Sequence, residues 1–305
     1  MNNFQQYSSI FIARLPISAK LYKFVSIIQI IKMIRFANAK INLGLNILRK
    51  RSDGYHDIET VFYPIPLNDI IEVVPSKSKE TILSVSGRKI DCPQEKNLVM
   101  KAYNALHAKY DLPPVDIYLH KIIPDGAGLG GGSSDASNLL TALNDLFKIN
   151  AGQSELAAIA SGIGADCPFF IYNTPLLAKG KGDIFENTDI TLKGKFMLLI
   201  KPDISVPTAL AYSKVIPDNN NPELKDIIKL PLSEWKNMVK NDFEKSVFDT
   251  YPELKGIKDS LYESGAIYSS MSGSGSSIFG IYDSAIMAES AKKRFPQYDS
   301  FILNL

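Results

Sequence analysis

A glycine-rich stretch at residues 124–135 is the part of the sequence best suited to chemistry. It reads Pro-Asp-Gly-Ala-Gly-Leu-Gly-Gly-Gly-Ser-Ser-Asp. In such a turn, unpaired backbone N–H groups and the positive end of a following helix dipole attract phosphate oxygens. Five glycines in seven positions are costly in a plain connector, because glycine loses more chain entropy on folding than other residues do. The stretch therefore predicts a phosphate-binding loop. Its glycines are Gly126, Gly128, Gly130, Gly131 and Gly132.

Two familiar phosphate loops do not fit this stretch. A Walker loop ends in Gly-Lys-Ser/Thr, which is absent here. The Gly-x-Gly-x-x-Gly pattern of dinucleotide-binding folds is matched by Gly126, Gly128 and Gly131, but its context is missing. The residues before it alternate in polarity, unlike a central parallel strand, and no acid that could bind a ribose follows about 20 residues later. A third type of phosphate loop remains.

The residues on either side predict the elements that position the loop. Val115, Ile117 and Leu119 alternate with polar residues and predict a half-buried strand. From residue 136 to residue 147, apolar residues recur at helical spacing, and Ser133 or Ser134 would cap that helix. The loop therefore joins a strand to a helix.

Residues 36–48 form a second candidate wall for a polar site. One face of this predicted strand is apolar, and the other carries Lys40, Asn42, Gly44 and Asn46. A polar site wall and a solvated outer face fit this pattern equally well.

Two other features are ambiguous when they are judged by residue type. Tyr55 and His56 follow a tight Asp-Gly turn, where they could sandwich and hydrogen-bond a planar base or form a simple surface pair. Asp166 precedes an apolar run at 168–172 that reads as a strand, and an aspartate in that position is usually a turn former.

The remaining pattern indicates an α+β chain with helices on one face of a mixed sheet. Asn97 would cap a helix that reaches residue 109, and Pro64 and Pro66 would break a strand at 58–74. Further strands are predicted at 196–200, 278–282 and 301–305, further helices at 154–161, 234–248, 252–263 and 284–294, and an exposed loop at 217–233.

Composition narrows the class of protein. The 305 residues are 45% hydrophobic and 22% charged, as in an ordinary globular protein. Cys92 and Cys167 form no metal-ligand spacing and no disulfide framework, which favours a reducing, cytoplasmic setting. No membrane partner is expected. The net charge of +2 arises from residues 1–32, which hold four basic residues and no acid. Residues 33–305 have fewer basic than acidic residues, so they offer no general surface for nucleic acid.

Residues 1–32 are predicted to lie outside the fold. Their basic, acid-free composition is that of a transit peptide, or they precede the true start at Met33. Their apolar run at 24–31 is too short to span a bilayer.

Three stretches resemble the galacto-, homoserine, mevalonate and phosphomevalonate (GHMP) kinase superfamily. They are Ala39-Lys-Ile-Asn-Leu43, the loop at 124–134 and a Gly/Ser turn at 272–277. Residues 51–56, 164–168 and 206–212 narrow the resemblance to the branch whose members phosphorylate 4-diphosphocytidyl-2-C-methyl-D-erythritol. The similarity runs from Met33 nearly to the C-terminus. It implies a ribosomal protein S5 domain 2-like domain at 33–192, a ferredoxin-like domain at 193–305, mixed sheets in both, and an active site in the cleft between them.

The same resemblance implies roles for individual residues. ATP with Mg²⁺ would be the co-substrate, and Asn97 would lie near the nucleotide. A hydroxyl of Ser133 or Ser134 would touch phosphate or Mg²⁺, and the metal ligands are otherwise left open. The loop residues that would wrap the phosphates are Pro124, Gly126, Gly128, Gly130, Gly131, Gly132, Ser133 and Ser134. Asp166 resembles the base that takes the proton of the substrate 2-hydroxyl, beside Lys40. The residues that would hold the second substrate are Asn42, Tyr55, His56, Phe62, Thr208 and Tyr212. Within this set, Tyr55 and Tyr212 would stack on the cytosine and His56 would bond its edge. The loop residue Asp125 is expected to point outward, because its carboxylate would repel phosphate.

Two alternatives remain open at this point. A homoserine- or mevalonate-type kinase would keep the loop but has no use for a cytosine clamp. A non-catalytic nucleotide-binding regulator could use the same scaffold. The expected partner is a small molecule, and the expected assembly is a monomer or a weak homodimer.

Overall fold

A computed structural model describes residues 32–90, 92–218 and 222–305. The predictions for residues 1–31 lie outside these ranges. The described chain builds two sheets. Six strands form the first: β1 (Met33–Lys50), β2 (His56–Pro75), β3 (Ile82–Gly87), β4 (Val115–Lys121), β5 (Leu176–Lys179) and β6 (Ile184–Asn187).

The first sheet is organised by the long hairpin of β1 and β2. Its order is β3-β4-β2-β5-β6, and β1 pairs with β2 along its whole length. β3 and β4 are parallel and the other pairs are antiparallel, so this sheet is mixed. β2 continues through Pro64 and Pro66, where the sequence predicts breaks. Both prolines lie between the residues of β2 that pair with β5 and those that pair with β4. The edge of β2 that faces β4 and β5 therefore needs no N–H donor at these two positions.

Four helices belong to the first half of the chain: α1 (Leu98–Tyr110), α2 (Gly131–Leu146), α3 (Gln153–Ser161) and α4 (Cys167–Tyr172). The predicted cap of α1 is confirmed, because the Asn97 side chain accepts the N–H of Val99. α2 begins earlier than predicted, with Gly130 at its N-cap, so neither Ser133 nor Ser134 caps it. The apolar run at 168–172 is a helix and not a strand. Pro168 lies in its first turn, where a missing N–H does no harm.

Four strands and six helices make up the second half that the structure describes. The strands are β7 (Phe196–Lys201), β8 (Tyr268–Met271), β9 (Ile278–Tyr282) and β10 (Asp299–Asn304), in the order β10-β7-β9-β8. The helices are α5 (Thr208–Ser213), α6 (Leu224–Ile227), α7 (Trp235–Met238), α8 (Phe243–Thr250), α9 (Pro252–Glu263) and α10 (Ala285–Lys292).

This second sheet has the β-α-β-β-α-β succession of a ferredoxin-like layer, as expected, if α9 and α10 are counted as its two helices. Its three strand pairs are all antiparallel, so the expected mixed character holds for the first sheet and not for this one. The short turn at 272–277 forces β8 and β9 to run as a hairpin, and β7 pairs antiparallel with both of its neighbours.

Two predictions for the second half need correction. The helix expected at 234–248 is divided into α7 and α8, because the residues between them join β1: Leu45 N donates to Lys240 O and Asp242 N donates to Leu45 O. The loop expected to be exposed at 217–233 contains α6, whose Leu224 is buried. A Cβ at Gly44 would lie 2.7 Å from Leu224 Cδ1, so Gly44 serves packing and is not part of a polar wall.

The two sheets share one apolar core. Ala39, Ile41 and Leu43 of β1 pack in the same cluster as Met197, Leu199 and Phe279 of the second sheet. This packing orients β1 so that its polar neighbours Lys40 and Asn42 lie at the junction of the two halves. Among the described residues, no helix has the length and apolar character needed to cross a membrane.

Candidate active site

The glycine-rich loop has the backbone of an anion cradle. Gly126, Gly128 and Gly130 have φ values of +57°, +75° and +71°. Residues with positive φ at alternate positions turn successive N–H groups toward a common concavity. The loop leads into α2 at Gly131, and the first N–H groups of a helix have no partner inside it. The predicted phosphate loop therefore ends in unpaired N–H groups and the positive end of a helix.

The turn at 272–277 forms a wall against this loop. A Cβ at Gly128 would lie only 2.0 Å from Ser272 O, so only glycine allows this approach. Ser272 Oγ donates to Gly128 O at 2.8 Å, and Ser277 N donates to Ala127 O at 3.3 Å. The site is therefore assembled from both halves of the chain.

Asn241 holds this wall in place, and the sequence analysis missed it. Its Nδ2 donates to the carbonyl oxygens of Met271 and Gly273, each at 2.8 Å, and its Oδ1 accepts the N–H of Phe243 at 3.0 Å. The residue is buried. It falls inside the helix predicted at 234–248, and its partners Met271 and Gly273 are distant in the chain, so no local pattern points to its role.

Lys40 lies at the mouth of the loop. Its Nζ donates to Asn42 Oδ1 at 2.8 Å and to Gly128 O at 3.3 Å, and it lies 3.5 Å from Asp166 Oδ2. Its backbone N–H donates to Leu129 O at 2.9 Å. A buried ammonium at this position is fixed both by its own strand and by the loop.

Asp166 occupies the N-cap position of α4, but its side chain makes no capping hydrogen bond. The side chain is 36% exposed, so one face of the carboxylate remains open to the cleft. α4 is tied to α2 because Ser137 Oγ donates to Cys167 O at 2.7 Å. Ser137 is therefore a second positioning residue that the sequence analysis missed.

The two predicted serine ligands differ in accessibility. Ser133 is half-buried at the head of α2. Ser134 is fully buried, and its hydroxyl oxygen accepts from Asn138 Nδ2 at 3.3 Å, so it does not face the loop. This difference follows from the early start of α2, which turns residue 134 toward the core. Asp125 is exposed, as expected.

His56 and Tyr212 come together across the two halves. Their ring centroids are 4.6 Å apart with an interplanar angle of 21°, and the Tyr212 ring meets Phe243 edge-on. Burial, followed by the charge of Lys50, lowers the pKa of His56, so its imidazole is neutral at pH 7. Burial, followed by the charge of Asp166, raises the pKa of Tyr212. Tyr212 is therefore near enough to Asp166 to be affected by its charge.

The other predicted substrate residues are placed differently. Tyr55 is 62% exposed, and its ring contact is with Lys181, whose Nζ lies 5.1 Å from the ring centroid. Phe62 is buried beneath Lys40, at 4.9 Å from Nζ to the centroid, and so supports the ammonium from below. Thr208 is exposed at the start of α5. Asn42 is buried beside Lys40 and donates to Thr60 Oγ1 at 2.9 Å.

A cavity of about 550 Å³ lies beside the start of α1. Its lining includes Leu83, Val85, Ile90, Cys92 and Asn97. The neighbouring Leu98 reaches to 3.8 Å from the position of a Cβ at Gly132, which brings this cavity next to the phosphate loop. Its wall also carries the polar side chains of Ser86, Arg88, Lys89 and Gln94, so it is about as polar as it is apolar. Its volume is in the range of small-molecule sites. Among the described residues, no group of three or more His, Cys, Asp or Glu side chains could hold a metal ion by itself.

Two protein-family models match the chain. The model of the GHMP kinase N-terminal domain matches residues 97–174, and the model of the GHMP kinase C-terminal region matches residues 224–298. The fold, the loop and these matches define a small-molecule kinase of the GHMP class.

Similar proteins narrow this class. The 4-diphosphocytidyl-2-C-methyl-D-erythritol kinase of Parabacteroides distasonis is 55% identical over 251 residues, which cover 82% of this chain and 92% of the relative. That of Cytophaga hutchinsonii is 51% identical over 252 residues, covering 82% and 93%. A crystal structure of 4-(cytidine 5'-diphospho)-2C-methyl-D-erythritol kinase superposes with a TM-score of 0.77 at 33% identity, covering 89% of this chain and 98% of the other. The chain belongs to the family of 4-diphosphocytidyl-2-C-methyl-D-erythritol kinases.

More distant structures share the fold. The mevalonate kinase of Methanococcus jannaschii superposes with a TM-score of 0.67 at 16% identity, covering 90% of this chain and 98% of the other.

Proposed function

We propose that this chain transfers the γ-phosphoryl group of ATP to the 2-hydroxyl of 4-diphosphocytidyl-2-C-methyl-D-erythritol, in the non-mevalonate route to isopentenyl diphosphate. The observation that carries this proposal is the pair formed by Lys40 Nζ and Asp166 Oδ2, 3.5 Å apart at the mouth of the phosphate loop. The names of the close relatives support the choice of acceptor.

In this mechanism Asp166 accepts the proton of the attacking hydroxyl. Its carboxylate is open to the cleft and makes no capping bond, so a lone pair is available for that proton. The Lys40 ammonium orients the same hydroxyl and offsets the charge of the moving phosphoryl group. Phosphoryl transfer depends mostly on positioning and charge stabilisation, so two charged side chains and the loop N–H groups are a sufficient set.

The nucleotide would bind across the loop and the neighbouring cavity. The triphosphate lies against residues 126–133, and the base enters the cavity that Asn97 and Val85 line. Mg²⁺ would neutralise and align the phosphate oxygens. Mg²⁺ usually keeps several waters and takes few protein ligands beside phosphate oxygens, which agrees with the lack of a preformed cluster among the described residues. The half-buried hydroxyl of Ser133, at the head of α2, is the oxygen that would contact it.

The cytosine would be recognised by the ring pair of His56 and Tyr212. These rings stack on each other at 4.6 Å, so a base can stack on Tyr212 only after the imidazole turns away from its face. Once turned, the neutral imidazole can bond the edge of the base. Tyr55 is exposed on the β1–β2 turn, from where it can close over the other face of the base.

A coupled assay of ADP release tests this function. The purified protein is given ATP, Mg²⁺ and one of three acceptors: 4-diphosphocytidyl-2-C-methyl-D-erythritol, mevalonate or homoserine. We expect turnover with the first acceptor alone, ³¹P NMR evidence of a new phosphomonoester, and loss of turnover when Mg²⁺ is omitted. Turnover with mevalonate or homoserine and none with the cytidine compound would contradict the proposal.

The same preparation separates an enzyme from a nucleotide-binding regulator. A regulator would bind ATP but show no acceptor-dependent ADP release. Size-exclusion chromatography with light scattering tests the expected monomer or weak homodimer. Cytoplasmic location stays a prediction, to be checked by fractionation of the source cells.

A further inference from the structure

We propose that Asp69, Lys121 and Asp135 form a clasp that closes the base of the phosphate loop and positions it for ATP. The three side chains are called the loop clasp below. The proposal rests on ATP binding at the loop and is independent of which acceptor the kinase uses.

The loop clasp joins the two ends of the loop. Lys121 is the last residue of β4, and Asp135 lies in the first turns of α2, so they flank the loop in the chain. The Lys121 ammonium donates to Asp135 Oδ2 at 2.7 Å and also to Asp69 Oδ2. The entry and exit of the loop are thus held by one ammonium.

Asp69 adds a second hold on the entry. Its Oδ1 accepts the backbone N–H groups of Ile122 and Ile123, the two residues immediately before Pro124. Asp69 belongs to β2. The pairing of β2 with the neighbouring strand β1 shifts its register between Asn38 and Ala39, just before Lys40. The loop entry is therefore fastened to the hairpin that carries the proposed catalytic ammonium.

The clasp also touches the loop backbone. A Cβ at Gly131 would lie 3.0 Å from Ile123 Cγ2 and 3.4 Å from Lys121 Nζ. Gly131 is the first residue of α2, so the ammonium lies directly beneath the helix turn that faces the phosphates. A shift of Lys121 would move this turn.

Burial sets the clasp apart from a surface ion pair. The exposed fractions are 0% for Asp69, 5% for Lys121 and 1% for Asp135. Removing three charges from water is expensive, and an apolar trio of similar volume would give the fold as much stability or more. A role in fixing the geometry of the loop explains why charged side chains, and not apolar ones, occupy these three positions. Asp135 Oδ1 has no hydrogen-bond partner among the described residues, and burial raises the pKa of this carboxyl to about 7, so the clasp carries all three charges above that pH.

The test is a charge-balanced double variant, Lys121→Met with Asp135→Asn, in the full chain. Asp69 keeps its two backbone N–H donors in this variant, so the entry of the loop stays hydrogen-bonded. We expect the Kd of a fluorescent ATP analogue to rise about tenfold, because a loop that is no longer held must be ordered on binding. The kcat at saturating ATP should stay within about threefold, since Lys40 and Asp166 are unchanged.

Leu156→Ala is the matched control for lost stability. Leu156 is buried in α3, in the same core as α2, and is not one of the three residues of the loop clasp. It should lower the melting temperature and leave the Kd of the ATP analogue unchanged. If the double variant shows the same pattern as this control, the three charges only support the fold and the proposal is wrong.

A single variant covers the case in which the double variant does not fold. Asp135→Asn keeps the shape of the side chain and an oxygen for the Lys121 bond. We expect about a threefold rise in the Kd of the ATP analogue, since a charge-assisted bond becomes a neutral one. An unchanged Kd in this folded variant would overturn the proposal. Because ATP-analogue binding needs no acceptor, the result stands whether or not the acceptor in the proposed function is correct.

Discussion

The Lys40 ammonium lies 3.5 Å from the Asp166 carboxylate, although Lys40 belongs to β1 and Asp166 lies at the N-cap of α4. Lys40 is held by Asn42 and by the carbonyl of Gly128, whereas the helix of Asp166 is held by Ser137. Each partner is thus positioned independently of the other. We therefore expect each side chain to keep its position when the other loses its charge, which makes single substitutions interpretable.

Asp166→Asn should remove the base and keep the shape of the site. We expect kcat to fall by about 10²- to 10⁴-fold, the range for loss of a general base. The KM for ATP should change little, because the carboxylate does not contact the loop glycines. ADP release measures kcat, and circular dichroism checks the fold. Asp259→Asn, which alters an exposed pair with Lys255, serves as the control and should leave kcat unchanged. Near-normal kcat in Asp166→Asn would show that the assigned base is wrong.

Lys40→Met should lower kcat by about 10²-fold, since a charged donor to the transition state is lost. Lys40→Arg should not restore it. The Lys40 side chain is only 4% exposed and lies between Phe62 and the loop, so the wider guanidinium does not fit the space of an ammonium. Single-turnover measurements separate the chemical step from substrate binding. Full activity in Lys40→Arg would mean that the position needs only a positive charge.

The ring of Tyr212 should contribute stacking, and its hydroxyl should contribute little. Tyr212→Ala is expected to raise the KM for the cytidine substrate by about 5- to 160-fold, since stacking of a base on an aromatic ring is worth about 1–3 kcal/mol. Tyr212→Phe should remain within about threefold of the unaltered chain, because the ring is kept. Tyr118→Ala, at an exposed ring on β4, is the control. A large effect of Tyr212→Phe would assign recognition to the hydroxyl.

Acidification should weaken binding of the cytidine substrate through His56. The pKa of His56 is lowered by burial, so the folded protein holds a neutral imidazole at pH 7 and protonates it only below the ordinary value of about 6.5. Protonation removes the acceptor nitrogen and forces a charge into a partly buried site. The KM for the cytidine substrate should therefore rise as the pH falls from 6.5 to 5, while the KM of His56→Gln should follow pH less steeply. Parallel profiles for the two proteins would exclude His56 as the group that titrates.

The two cysteines should differ in their reaction with iodoacetamide. Cys92 is exposed and lines the cavity beside Asn97, so it should be alkylated at pH 8 and protected by ATP. Cys167 is buried, and burial raises the pKa of its thiol to about 11, so it should remain unmodified in the folded protein. Peptide mass spectrometry with and without ATP gives both rates. Alkylation of Cys92 at the same rate with saturating ATP would place the base elsewhere.

Local sequence patterns predicted the elements at the heart of the site well. The alternation at Val115, Ile117 and Leu119 is that of the observed strand β4, and Asn97 caps α1 as expected. These signals are local because strand alternation, helix spacing and capping each depend on residues a few positions apart. The resemblance to a known family was needed to bring Lys40 and Asp166 together, since nothing in either local segment specifies the other.

Local sequence patterns do not predict the role of a residue whose partners are distant in the chain. Asn241 bonds the wall at Met271 and Gly273, whereas the pattern of its own neighbourhood predicts one unbroken helix at 234–248. Ser133 or Ser134 was expected to cap α2, three or four residues after the observed N-cap at Gly130, and the earlier start turns the Ser134 hydroxyl inward. Pro64 and Pro66 were expected to end a strand, but the pairing partners of β2 leave that edge free.

The close approach of Gly128 to Ser272 limits how this chain can be divided or recombined. A carbonyl from the C-terminal half fills the space that a side chain at residue 128 would need, and the Ser272 hydroxyl bonds the backbone there. An isolated N-terminal half would therefore display a phosphate loop with one side open to water. A chimera that joins this N-terminal half to a foreign C-terminal half would need a matching backbone bulge opposite residue 128 before it could bind nucleotide in the same way.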